Sequence, residues 1–270
     1  MPIVEIEGRA VEYVRSGTGT PVIFSSPTWW PLDAWQQSGV PELSAAHDVV
    51  AFNHRGIGRS AATNQLYTVE TMGDDLLALA GALGLDRVHI VAYAIGAAVA
   101  LAVARRRPDR VRSLTLAAPS LGVPHAAPSP SDAVLRDVEA IGFEAHIRGY
   151  PAASAHPSFA RDHPAAAAAL SDALWFGQGT LENFLKHAEA RRGYAALEIA
   201  AGLTVPALVL VGAQDAAARG ALTPVDAARA MAAALPGARL TLAEGVGHMP
   251  FWEAPELWNT VLTFMQEVDS

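Results

Sequence analysis

Val88-His89-Ile90-Val91-Ala92-Tyr93-Ala94-Ile95-Gly96 is the stretch that decides the fold of this chain. It joins a run rich in β-branched residues to an Ala-rich segment that ends at Arg105-Arg106-Arg107-Pro108, a pattern typical of a buried strand that turns sharply into a helix. Ala92 and Gly96 lie two positions before and two after Ala94. Small residues are needed there because the strand and helix backbones pass close together at such a corner. Ala94, at the tip of the corner, brings no hydroxyl or carboxylate.

The same run has an alternative interpretation as a membrane-spanning helix, since it is apolar and is followed by three arginines. It has fewer than the ~20 apolar residues that a span needs. It is also dominated by Ala rather than Leu and contains His89. We therefore interpret it as strand, corner and helix, and we expect no membrane partner.

The composition fits one large globular unit with an insertion. Of the 270 residues, 51% are hydrophobic and 17% are charged, which suits a sheet buried on both faces. The formal net charge is −8, with the acidic residues scattered along the chain. A phosphate-binding surface needs clustered Lys and Arg, so we expect no nucleic-acid partner. The one basic cluster, 105–107, lies at a predicted helix C-terminus, where cations favour the helix dipole.

The absence of cysteine and the character of the N-terminal residues restrict the possible chemistry of the site and the expected cellular location. The chain has no cysteine, which excludes disulfides, thiolate metal sites and a cysteine nucleophile. The first residues, 1–7, are charged and strand-like and lack the apolar core of a signal peptide, so a cytoplasmic location is expected. The histidines of the segment 121–203 are spread out, and we expect no metal and no cofactor. A homo-oligomer is compatible with the sequence.

Strand and helix patterns alternate along the first 118 residues and return near the end of the chain. Apolar runs predict strands at 4–6, 11–14, 22–24, 49–52, 88–91, 111–117, 205–211 and 239–242. Helices are predicted between Thr68 and Gly84, after Ala94, after Thr223 and at the C-terminus. This order predicts an α/β fold with a mostly parallel central sheet and helices on both faces.

The segment 121–203 interrupts this alternation. It contains helical patches at 133–141, 164–174 and 181–191 and no predicted core strand. Trp175 and Phe184 belong to a set of side chains that is too apolar to remain solvated, so the segment is predicted to be an inserted helical cap and not a linker. The predicted domains are a core of residues 1–120 and 204–270 and a cap of residues 121–203.

Two polar residues follow core strands at one edge of this predicted sheet. Asp215 comes after the strand 205–211, and His248 follows the strand 239–242 and two glycines. Ligands bind outside the carboxyl ends of the strands in such sheets. A histidine there can act as a base, and a carboxylate on its other nitrogen fixes its tautomer and orientation.

Taken together, four motifs resemble those of α/β-hydrolases with a helical cap, over essentially the whole chain. Gly56-Ile57-Gly58-Arg59-Ser60 resembles the turn after the strand that precedes the nucleophile elbow. Residues 92–96 resemble the elbow itself, which normally reads Gly-x-Ser-x-Gly. Val211-Gly212-Ala213-Gln214-Asp215 resembles the strand end with the triad acid. Residues 245–250, followed by Glu253-Ala254-Pro255, resemble the loop with the triad histidine.

The resemblance implies a Ser-His-Asp type of catalytic triad without its serine. Ala94 occupies the nucleophile position, while Asp215 and His248 occupy the other two. Relatives commonly have Asp where this chain has Asn53, and we interpret Asn53 as structural.

The resemblance implies an oxyanion hole with two backbone N–H donors. The first is the N–H of Ile95. The second is expected from Ser26 or Thr28, because Pro27 between them has no N–H. The loop is more similar to the Asn-Ser-Leu-Gly loop of 3-oxoadipate enol-lactonases than to the His-Gly loop of many relatives. The residues expected to contact a substrate are Ser25, Trp29, Tyr93, Trp175 and Met249.

Two explanations for Ala94 stay open at this point. In the first, the chain is a serine-type hydrolase for esters, lactones or C–C bonds of a small, apolar or aromatic substrate, and an engineered, inactivating replacement has put Ala where the native protein has serine. In the second, the chain naturally lacks the serine. It would then act as a lyase, isomerase or cyclase that depends on His248, or bind a ligand without turnover.

Overall fold

One mixed sheet runs through the protein, whose computed structural model describes residues 1–27, 29–177, 179–217 and 222–270. The strands are β1 (Ile3–Ile6), β2 (Arg9–Ser16), β3 (Thr20–Ser25), β4 (His47–Phe52), β5 (Val88–Tyr93), β6 (Val111–Ala117), β7 (Ala207–Gly212) and β8 (Arg239–Ala243). Within the described ranges they form one eight-stranded sheet in the order β1-β2-β4-β3-β5-β6-β7-β8. The pairs β1–β2 and β2–β4 are antiparallel and the others are parallel, which confirms the predicted α/β class.

Helices cover both faces of the sheet and fill the interval between β6 and β7. They are α1 (Leu32–Gln37), α2 (Val40–Leu43), α3 (Val69–Ala82), α4 (Ile95–Arg106), α5 (Pro130–Ile141), α6 (Phe143–Ser154), α7 (Pro157–Asp162), α8 (Pro164–Phe176), α9 (Leu181–Glu189), α10 (Ala196–Ala200), α11 (Pro224–Ala234), α12 (Pro250–Glu253) and α13 (Leu257–Asp269). Across the part of the chain that the structure describes, none of the helices combines the length and the apolar character needed to cross a bilayer.

Alternate residues of the central strands enter two separate hydrophobic clusters, one on each face of the sheet. In β5, Ile90 and Ala92 pack with residues of α3 and α4, whereas Val91 and Tyr93 pack with residues of α1 and α13. Successive side chains of a strand point to opposite faces. Because both faces are buried, β5 shows a continuous apolar run instead of a polar–apolar alternation.

Several short or interrupted helices are present that the sequence patterns do not predict: α1, α2, α6, α7, α10 and α12. Apart from α6, each has six residues or fewer. Helix α6 has twelve residues but contains Pro151. A helical period is recognisable only over a window of about 11–18 residues, so such segments carry too weak a signal.

A buried polar network fixes the loop that follows β4. The Asn53 side chain accepts a hydrogen bond from the backbone N–H of Leu32 (2.7 Å) and donates one to Glu12 (2.9 Å). The Arg55 guanidinium donates two bonds to the buried Asp75 carboxylate, at 2.7 and 2.8 Å. The structural interpretation of Asn53 is thus confirmed, since its amide uses both its acceptor and its donor inside the core.

Helix α9 contacts the loop after β4 in part through two buried histidines, one from each segment. His187 in α9 donates from Nε2 to the Arg55 carbonyl at 2.9 Å. His54 lies beside it, with the ring centroids 6.2 Å apart. Burial lowers the pKa of His54 to about 4 and the pKa of His187 to about 3, so both imidazoles are neutral near pH 7.

We expect these two histidines to make the free energy of unfolding fall as the pH is lowered from about 6.5 to about 4. In the unfolded chain both imidazoles bind protons near pH 6.5, whereas in the folded chain they stay neutral until about pH 4 and about pH 3. The unfolded state therefore binds more protons in this interval, and acidification destabilises the fold.

A His187→Gln variant, which keeps an N–H donor for Arg55, should reduce the slope of this free energy against pH by up to about 1.4 kcal/mol per pH unit. Urea unfolding across the interval measures the slope. The exposed His163 provides the matched control, since His163→Gln should leave the slope unchanged. Equal slopes for the two variants would contradict the role of His187 in this pH dependence.

Candidate active site

The corner between β5 and α4 is the sharp turn that the sequence predicts, and its backbone is strained. Ala94 has φ 51° and ψ −116°, a conformation that residues with a Cβ rarely adopt. Two neighbours hold it there: the Ala94 N–H donates to the Ala117 carbonyl (2.9 Å), and the Ala94 carbonyl accepts from the Ser120 N–H (3.1 Å). The strain is thus imposed by the end of β6 and the residues that follow it.

Gly96 lets the first turn of α4 pass over the end of β3. A Cβ at this position would lie only 2.0 Å from the backbone oxygen of Ser25. The Ser25 hydroxyl donates to the Gly96 carbonyl at 3.0 Å, which ties the two segments together. The small residue two positions after the tip is therefore a steric requirement of this contact.

His248 and Asp215 form a buried pair at the carboxyl edge of the sheet. His248 Nδ1 lies 2.7 Å from Asp215 Oδ2, and each residue is at most 6% exposed. Asp215 also accepts a bond through Oδ1 from the Ala217 N–H at 3.0 Å, which fixes the carboxylate. Since a carboxylate can only accept, Nδ1 carries the proton, and Nε2 of the neutral ring then has a lone pair for base chemistry.

A cavity of about 930 Å³ brings the corner and this pair together. Ala94, Ile95 and His248 all line it. The volume lies toward the upper end of the roughly 300–1,000 Å³ typical of ligand pockets. Part of its wall comes from the residues between β6 and β7, including Tyr150. In the described ranges, no three His, Asp or Glu side chains are grouped so that they could hold a metal ion.

The loop after β3 supplies one side of the cavity. Pro27 and Trp29 line it, together with Ile95 of α4. Ser26 is fully buried, and its hydroxyl accepts a bond from the Trp35 indole N–H at 2.8 Å. Thr28, the other predicted oxyanion donor, lies outside the described residues.

Four residues expected to contact a substrate do not line the cavity: Ser25, Tyr93, Trp175 and Met249. The Ser25 side chain is used in the contact with α4. Tyr93 points into the core and donates from its hydroxyl to the His248 carbonyl (2.8 Å). Trp175 packs against Phe143 with ring centroids 5.9 Å apart, and Met249 is fully buried in the core. The structure thus places these four residues behind or beside the cavity wall, and their contact with a substrate stays a prediction.

Other residues of the cavity wall were not selected from the sequence. Trp30 lines the cavity next to Trp29, and Tyr150 of α6 faces both indoles at 4.8 Å and 6.0 Å between ring centroids. Trp30 could have been predicted from the sequence, because it follows Trp29 in the same loop. Tyr150 could not, since the sequence pattern does not reveal α6.

Comparison with known proteins agrees with this geometry. A family model of the α/β hydrolase fold matches residues 29–255. The chain belongs to the α/β-hydrolase family. It is accordingly an enzyme of the hydrolase type, as the motifs imply.

Relatives with similar sequences share a name. A protein of Caulobacter sp. (strain K31) named "Putative carbamate hydrolase RutD" is 31% identical over 226 residues, which cover 83% of this chain and 82% of the relative. A protein of Azorhizobium caulinodans with the same name is 24% identical over 258 residues, 95% of each chain.

Two solved structures have similar folds over the whole chain. The enol-lactonase from Burkholderia xenovorans LB400 is 26% identical with a TM-score of 0.84, covering 98% of this chain and 100% of that one. A thermophilic esterase from Thermogutta terrifontis is 24% identical with a TM-score of 0.86, covering 100% of each chain.

The close approach at Gly96 predicts a strong effect of one methyl group. Gly96→Ala should destabilise the fold by at least about 3 kcal/mol, at the top of the range for overpacked sites, because the obstacle is backbone and not a movable side chain. Gly81 in α3 is the matched control, since a Cβ there meets nothing within 4 Å. Gly81→Ala should stabilise by about 0.5–1 kcal/mol. Urea unfolding of both variants checks this, and a Gly96→Ala protein as stable as the parent would refute the steric account.

The backbone strain at Ala94 predicts that glycine is better tolerated at this position. Ala94→Gly removes the Cβ that disfavours φ 51° but makes the unfolded chain more flexible. The net effect should be a stabilisation of the fold by about 1 kcal/mol. Ala97→Gly, inside α4, should instead destabilise by about 1 kcal/mol. Thermal unfolding measures both changes, and a loss of stability in Ala94→Gly would contradict the expected relief of strain.

Proposed function

We propose that the cavity over Ala94 binds a small carbonyl compound, an ester, lactone or carbamate, and that the site is arranged for acyl transfer to a hydroxyl at position 94. The observation that carries the proposal is the shared cavity wall: the strained tip Ala94 and the imidazole of His248, oriented by Asp215, both face it. The indoles of Trp29 and Trp30 on the same wall favour an apolar or aromatic substrate.

With a serine at position 94, the reaction would follow the Ser-His-Asp pattern. The serine oxygen attacks the carbonyl carbon while His248 Nε2 takes its proton, and Asp215 stabilises the resulting imidazolium. The oxyanion is held by the Ile95 N–H and a second donor from the loop after β3. His248 then returns the proton to the leaving group, and water activated by His248 releases the acyl group.

With Ala94, the same site lacks the covalent route. For acyl transfer, His248 then has only a water molecule to activate, so we expect binding to persist and hydrolysis to fall by about three orders of magnitude or more relative to a serine enzyme. We also propose that residues 121–203 act as a cap domain over a core of 1–120 and 204–270, since the helices α5 to α10, here called the cap helices, supply part of the cavity wall.

A second candidate is chemistry that uses His248 without a nucleophile. The intact bond between His248 and Asp215 in a chain with Ala94 favours it, because the pair retains its base function. A lyase, isomerase or cyclase of this kind would turn over its substrate with Ala94 in place. A pure binding protein would not need His248 at all.

The Ala94→Ser variant tests the proposal. It should hydrolyse p-nitrophenyl esters or lactones at least about a thousandfold faster than the parent chain, and it should be labelled covalently by a fluorophosphonate. Mass spectrometry after labelling locates the adduct. The double variant Ala94→Ser with His248→Ala is the matched control, since the serine is present but has no base, and it should lose both the labelling and the rate.

The outcomes separate the candidate functions. The acyl-transfer proposal is refuted if Ala94→Ser is not labelled and turns over none of the esters, lactones and carbamates tested. Turnover by the parent chain that disappears in His248→Ala would favour the lyase, isomerase or cyclase. Ligand affinity that is unchanged in His248→Ala, without turnover, would favour a binding protein.

A further inference from the structure

The loop that carries His248 is held by hydrogen bonds from outside its own strand. Gly247 N–H and Met249 N–H donate to the Glu253 carboxylate at 2.7 and 2.8 Å. The N–H of His248 itself donates to the carbonyl of Ser154, at the end of cap helix α6, at 3.0 Å. The three consecutive N–H groups around the imidazole are thus bound by one side chain and by the cap.

Glu253 also binds the cap directly. Its Oε2 atom, which accepts from Gly247, accepts a second bond from the backbone N–H of His156 at 2.8 Å. The cap backbone lies against the loop at this point, because a Cβ at Gly247 would be 2.3 Å from His156 N. One carboxylate therefore joins the histidine loop to the segment that precedes α7.

We propose that Glu253 is a positioning residue that makes the placement of His248 depend on a seated cap. If residues 154–156 move away, His248 loses its bond to Ser154 and Glu253 loses its bond to His156 in the same step. The Asp215–His248 pair is then held only from the core side. The proposal rests on the proposed function only in taking His248 as the base.

The carboxylate is suited to this role because it only accepts. Three backbone N–H donors share its two oxygens, and bonds to an ionised acceptor are roughly twice as strong as neutral ones. An amide at position 253 would turn one of the two oxygens into a donor facing an N–H group. Glu253→Gln therefore keeps the size of the side chain and breaks at least one of these bonds.

Amide hydrogen exchange followed by NMR on the full chain tests the coupling without requiring turnover. In Glu253→Gln, the amides of Gly247, His248, Met249 and His156 should exchange together at least about tenfold faster. The imidazole Nδ1–H signal of His248 should broaden at the same time. The control Glu256→Gln, at an exposed carboxylate three residues away, should change none of these signals.

A second pair of variants isolates the bond from the cap. His156 has φ −59° and Ala155 is extended, so His156→Pro fits the local backbone, removes the N–H and directs a ring methylene at Glu253. His156→Ala loses the side chain but keeps the N–H. Exchange at His248 should be at least about tenfold faster in His156→Pro than in His156→Ala. In a Glu253→Ala background this difference should vanish, because the two groups act through one contact.

The proposal is overturned if only Gly247 and Met249 respond to Glu253→Gln, since Glu253 would then be a local brace of the loop. It is also overturned if core amides such as Ile90 accelerate equally, because that result means global destabilisation. These outcomes are independent of Ala94→Ser labelling, so a failure of either proposal is recognised separately.

Discussion

The backbone of α4 crosses the end of β3 at a distance that admits no side chain, and the arrangement of the site depends on this contact. Gly96 packs against the Ser25 carbonyl, and Ala94, two residues earlier, is held at positive φ by its bonds to Ala117 and Ser120. The consequence is geometric: Ala94 and Ile95 line the cavity, and the N–H of Ile95, the first residue of α4, has no acceptor within its own helix. Any residue at position 94 would occupy the same place beside the cavity.

The other half of the site comes from a different part of the sheet and is assembled differently. Asp215 and His248 follow β7 and β8, and their bond is held by neighbouring backbone groups. The corner is thus rigid by steric necessity, whereas the imidazole is located by hydrogen bonds that include the Ser154 carbonyl. Movement of residues 154–156 would therefore leave the corner unchanged and release only bonds around His248.

The sequence predicted those features of the fold and site that depend on residues close together in the chain. The corner at Ala94 follows from small residues at a strand–helix junction, and Asp215 and His248 follow from their position at strand ends. Contacts between distant segments were not accessible. Tyr93 was expected to contact a substrate, but strand alternation turns it into the core, where its hydroxyl donates to the His248 carbonyl. Glu253 belonged to a recognised motif, yet its three donors become visible only in the folded chain.

Ala94 differs from serine by a single oxygen atom, and this has an evolutionary meaning. The conformation, the base and the first oxyanion donor do not depend on that oxygen, because each is fixed by other residues. Every alanine codon becomes a serine codon through one change at its first base. A hydroxyl at this tip is therefore one point mutation away, and under the proposed function that change would supply the nucleophile without rebuilding the protein around it.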